Sequence, residues 1–98
     1  MHNFIEIKPT PSVTYMGATV NEGNVRLTKS LRKNLGPEVG IKVNRDQLEI
    51  AFYTKKGGHK ISDDGRVNVQ HSRLQIPKGR YMYSNVVDKM LVCQLLET

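Results

Sequence analysis

The sequence has no tryptophan, two phenylalanines and one cysteine. With so few large aromatics, its interior has to be assembled from Val, Ile and Leu. The lone Cys93 excludes an internal disulfide, and its setting in Met90-Leu91-Val92-Cys93-Gln94-Leu95-Leu96 reads as that of a small buried hydrophobe. No apolar run is long enough to span a bilayer, which excludes a membrane partner of the helical kind. The start, Met1-His2-Asn3-Phe4-Ile5-Glu6-Ile7, lacks the charged leader and long apolar core of an export signal, so a cytoplasmic protein is the expectation. His2, His59 and His71 have no companions at metal-ligand spacing, and no serine sits in a nucleophile elbow. Asp63-Asp64-Gly65 has the chemistry of a turn, not of an acid/base pair. These absences point away from an enzyme and call for no metal and no cofactor.

Acidic side chains are also scarce. Nine Asp and Glu stand against fifteen Lys and Arg, leaving a formal charge of +6 and a pI near 9.7 on a single domain of 98 residues. That balance favours anionic partners, nucleic acid first and an acidic protein face second. The plainer alternative is a solvated basic surface that maintains solubility.

What is present is β-rich. Asn3 to Lys8 alternates as a strand and is ended by Pro9-Thr10-Pro11. Val13 to Val20 reads as a second strand, with Gly17 a candidate bulge. Asn21-Glu22-Gly23-Asn24 is a turn in which glycine offers positive φ, and Val25 and Leu27 then face inward with Asn24 and Arg26 outward. Thr28 is placed to cap a helix of about two turns whose Leu27, Leu31 and Leu35 form an apolar stripe. Gly36 and Pro37 stop it, glycine as a left-handed cap. Ile41 and Val43 open a strand, Asn44-Arg45-Asp46 turns it, and Gln47 to Thr54 returns with Leu48, Ile50 and Phe52 on one face. Lys55-Lys56-Gly57-Gly58-His59-Lys60 lacks the spacing of a phosphate-cradling loop and reads as a linker.

The order then begins again: Lys60-Ile61-Ser62 a strand end, Asp63-Asp64-Gly65 a turn, Arg66 to Val69 a strand with Val67 and Val69 inward. Gln70 to Gln75 makes one poor helical turn stopped by Pro77. Gly79 to Ser84 is a strand, Asn85 to Lys89 a turn, and Met90 to Leu96 a closing strand. Gly23 and Gly65, Val25 and Val67, Leu27 and Val69, and Ser30 and Ser72 are all separated by 42 positions, the mark of an internal repeat. The division expected is N-terminal strands over 1–18, a first unit over 19–54, a linker over 55–60 and a degenerate second unit over 61–98.

The first unit, Gly23-x-Val25-x-Leu27-x-Lys29-x-Leu31-Arg32-Lys33-x-Leu35-Gly36 followed by an apolar hairpin, resembles the AbrB/SpoVT DNA-binding family. The likeness runs over Thr19 to Thr54 and, more loosely, over Ile61 to Leu96. It implies a mostly β fold with one or two short helices, a small swapped-hairpin barrel in which two tandem βαββ-type units interleave as a pseudo-dimer. Pairing of each unit with a second chain, a homodimer, is the alternative. The chain departs from the family in carrying Thr28 and Gln70 where many members have proline. The second helix has also lost the leucine stripe.

By the same resemblance, duplex DNA would meet Arg26, Lys29, Arg32 and Lys33, with Arg66 and Arg73 from the second unit. Cations gathered in this way neutralise phosphates and release counterions. Tyr81 and Tyr83 share one strand face beside Arg80, and they suit either a partner-binding patch or rings packed on a barrel wall. The function expected is DNA-binding transcriptional regulation. The alternative is a phage- or plasmid-type inhibitor or antitoxin that uses the same barrel to block a host protein with an acidic or nucleic-acid-binding face.

Overall fold

A computed structural model describes residues 16–97; the strand expected over Asn3–Lys8 and the first part of the one expected from Val13 lie outside them. The elements are β1 Gly17–Val20, β2 Asn24–Leu27, α1 Lys29–Arg32, β3 Glu38–Asn44, β4 Glu49–Thr54, β5 His59–Lys60, β6 Arg66–Asn68, α2 His71–Leu74, β7 Gly79–Val87 and β8 Met90–Glu97. The order strand, strand, helix, strand, strand therefore occurs twice.

Every pairing is antiparallel, in a sheet of eight strands ordered β5-β3-β4-β8-β7-β1-β2-β6. Its two ends meet through one bridge, Ile61 to Val67, and the Ser62 amide donates to the Arg66 carbonyl at 2.9 Å, so the sheet is a nearly closed barrel. Exchanging the first four strands with the last four maps each pairing onto another. β1–β7 becomes β5–β3, β3–β4 becomes β7–β8, and β2–β6 and β4–β8 map onto themselves. Val25 pairs with Val67, and Ala51 with Val92, at the two points where this pseudo-dyad crosses the sheet.

The core lies inside the barrel, where alternation along each strand sends one residue in two. Val25, Leu27, Val67, Ile50 and Phe52 are all buried. Equivalent positions exchange bulk: register sets Val39 against Tyr81 and Phe52 against Cys93, and all four are fully buried. A small-then-large pair in one half answers a large-then-small pair in the other, which keeps the interior filled at constant total volume.

Several local expectations are corrected. α1 is a single turn, because Leu35 meets the core from the connector and does not need a second turn to reach it. Gly17 is no bulge; it pairs in register with Met82, and the irregularities lie in the β7–β8 pairing, where the register shifts between Arg80 and Tyr81 and between Tyr83 and Asn85. Gly36 is not left-handed. Its amide donates to Thr54 Oγ1 at 3.0 Å, and a Cβ there would stand 2.8 Å from the Thr54 methyl. Gly23 also lacks positive φ, whereas Gly65 has φ of 89°. Leu48 leaves the strand face for the turn, at φ of 54°, and its carbonyl accepts from the Leu95 amide. His59 and Lys60 are not linker; they pair with Val39 and Glu38. Asn85 to Val87 continue β7, and the turn shrinks to Asp88 and Lys89, both at positive φ (49° and 66°), as a tight two-residue hairpin demands.

Candidate nucleic-acid interface

β2 sends Val25 and Leu27 into the core, which obliges Asn24 and Arg26 to face outward. β6 does the same with Val67 in and Arg66 and Asn68 out. Antiparallel register then sets Arg26 directly opposite Arg66 and Asn24 opposite Asn68. Facing like charges oppose sheet formation. Asp64 offsets this from one side, with its Oδ2 2.8 Å from Arg66 Nε. A hydrogen bond from the Ser62 hydroxyl, and then the Arg66 charge, hold the Asp64 carboxyl below the usual carboxylate range.

The same outward row extends across two more strands. Thr19 of β1 pairs with Arg26 on one side and with Arg80 of β7 on the other. Arg80, Thr19, Arg26 and Arg66 thus form one line over β7-β1-β2-β6, and its three arginines are exposed. At the usual interstrand spacing its backbone length is about 14 Å.

Thr28 ends β2 and caps α1. Its Oγ1 accepts from the Leu31 amide at 3.3 Å and from the Gly17 amide at 3.1 Å, which pins α1 beside the start of β1. Lys29 and Lys33 stay exposed. Arg32 turns back instead: Nη1 donates to the Asp63 carbonyl at 3.1 Å, and its buried Nε meets no acceptor among the described residues. Arg32 therefore ties α1 to the turn before β6, and the adjacent Arg32 and Lys33 take different parts.

Arg73 is exposed on α2, beyond the Asn24–Asn68 end of the ribbon, so it does not join the Arg26 group. At the position equivalent to the buried Leu31, α2 carries this arginine. A cavity of about 730 Å³ opens there against β3, floored by Ile41, Val43, Val69 and Leu74. Tyr81 is wholly interior, and its hydroxyl donates to the Pro77 carbonyl at 2.6 Å; burial raises its pKa. Tyr83 is half-buried against the core. The tyrosines are thus wall residues, and of that expected patch Arg80 faces out.

Arg45 is a residue that sequence reasoning misses. Its Nε donates to the Leu74 carbonyl and its Nη2 to the Arg73 carbonyl, each at 3.2 Å, closing the end of α2. A cation in a hairpin turn gives no local sign of acceptors so far along the chain.

Among the described residues, no group of three or more His, Cys, Asp or Glu is placed to hold a metal ion, and no helix is long and apolar enough to cross a membrane. Compared with protein-family models, curated proteins and solved structures, the chain has no match.

Proposed function

We propose that this protein is a DNA-binding transcriptional regulator of AbrB/SpoVT-like type that holds duplex DNA on its basic strand–helix surface. The observation that carries the reading is the exposed Arg26–Arg66 pair at the α1 end of the β2–β6 ribbon, with Lys29 and Lys33 on the adjoining helix. Two arginines set opposite each other cost folding energy and do nothing for the core. A phosphate between them reverses that cost.

The test is a duplex titration at two salt concentrations. Four cations on phosphates imply a fall in affinity of roughly a hundredfold between 50 and 200 mM salt. Arg26→Ala with Lys33→Ala should cut that dependence to about tenfold. Absence of binding at low salt, or a salt slope untouched by the two substitutions, would refute the reading.

A second reading is a protein-binding inhibitor or antitoxin. Exposed Met82, Val86, Val87 and Leu96 on β7 and β8, together with the apolar-floored cavity by α2, favour it. A stoichiometric partner released by substitutions at Val86 and Val87, but not at Arg26, would support it.

A further inference from the structure

The pseudo-dyad that relates the two halves of the barrel relates surfaces of different chemistry. Register fixes the equivalences. Val39 pairs with His59 as Tyr81 pairs with Ala18, and Glu38 pairs with Lys60 as Arg80 pairs with Thr19. On the ribbon, Asn24 pairs with Asn68 as Arg66 pairs with Arg26. The row Arg80, Thr19, Arg26, Arg66 therefore has as its counterpart Glu38, Lys60, Asn68, Asn24. Where one half presents three arginines, the other presents a carboxylate, a lysine and two amides.

The two helices extend the difference. α1 adds exposed Lys29 and Lys33 beside the arginine row. Beside the other row, α2 begins with His71, whose amide is tied to the Glu22 carbonyl, while the Glu22 side chain is ion-paired with Lys78. A two-fold symmetric reader built from identical halves presents identical contacts to both half-sites, and its site is palindromic for that reason. This barrel contains the symmetry of the backbone without the symmetry of the contacts.

We infer that the two halves are unequal readers: the Arg80–Thr19–Arg26–Arg66 row, with Lys29 and Lys33 beside it, engages the duplex and its counterpart row does not, so that one chain takes a non-palindromic site in one orientation, with Arg80 a contact residue. The inference rests on the duplex-binding reading above. The row lies on the convex outer wall of the barrel. Its middle faces the groove, and Arg80 at one end and the Arg26–Arg66 pair at the other reach phosphates on either side. A major groove about 12 Å wide is of the same order as the row. Asp64, holding Arg66 by Nε, orients one of the flanking guanidinium groups.

The experiment is selection from a random-sequence duplex library, followed by titration of the selected duplex with single variants. The chain is kept at a concentration where light scattering reports one chain per particle. The expected result is a motif without two-fold symmetry. Arg80→Ala and Arg26→Ala should each weaken binding about tenfold and lower the salt slope by about one. Lys60→Ala and Asn68→Ala, at the counterpart positions, should change affinity by less than about twofold. All four residues are exposed, and an unchanged thermal transition by circular dichroism checks that each variant folds.

A palindromic motif, equal losses from both rows, indifference to Arg80→Ala, or binding with no sequence enriched would each overturn the inference while leaving salt-dependent duplex binding in place. Failure to bind any duplex at low salt would overturn both.

Discussion

Gly23 and Gly65 occupy the same place in the two repeats, yet substitution should treat them in opposite ways. Gly65 has φ of 89°, and a Cβ on it would lie 2.6 Å from the Leu27 carbonyl oxygen, 3.0 Å from Arg32 Nε and 3.1 Å from Arg32 Cζ. The left-handed backbone alone costs a side-chain-bearing residue about 1–2 kcal/mol. The clash cannot be relieved by the arginine, because its nearest atom is backbone. Moving that backbone strains the bond in which the Leu27 amide donates to the Gly65 carbonyl at 2.8 Å, a bond of about 1 kcal/mol. Gly65→Ala should therefore cost about 2–4 kcal/mol. That corresponds to a fall of roughly 10–25 °C in Tm for a domain of this size.

A Cβ on Gly23 would meet no heavy atom within 4 Å, and the backbone there has no positive φ. Gly23→Ala should be neutral or stabilising by up to about 1 kcal/mol, through the restricted unfolded chain. Urea unfolding of the two variants beside the parent measures both. Equal costs at the two positions, or a loss below about 1 kcal/mol at Gly65, half the smallest expected, would refute the reasoning.

Two further outcomes follow from single contacts. Arg45→Ala removes both donors from the Arg73 and Leu74 carbonyls; it should cost about 1–2 kcal/mol and speed hydrogen exchange at the Gln75 amide, with α1 unaffected. Burial pushes the Cys93 thiol from 9.0 up to about 12, so the folded chain keeps a proton that the unfolded chain releases. The associated stability is whole below pH 9 and is lost as pH rises through the window up to about 12, at a limiting slope of about 1.4 kcal/mol per pH unit. Denaturant midpoints taken through that window should fall more steeply for the parent than for Cys93→Ala, and parallel profiles would contradict the burial.

Much of the local structure is legible in the sequence because it depends on near neighbours. The inward places of Val25, Leu27 and Val67 follow from period-two alternation, and the cap on α1 from a threonine before a helical turn. The roles of the glycines are less legible. Gly36 serves contact with Thr54 across the hairpin, and only the fold shows that. Tyr83 and Tyr81 share a face in any strand, but nothing nearby says whether that face is wall or surface. The fate of Arg32 is equally hidden, since its acceptor, the Asp63 carbonyl, lies 31 residues away.

The sequence by itself determined a basic, β-rich chain with a core of Val, Ile and Leu, a repeated element order, and the direction in which most strand residues face, because charge, composition and alternation are properties of short stretches. Only the tertiary structure decided which outward residues become neighbours. The order of strands in the sheet sets β7 against β1 and β6 against β2, so Arg80, Arg26 and Arg66 share one line although the chain separates them widely. Register is a long-range choice made by the packed core, and it is register that turns scattered arginines into a surface.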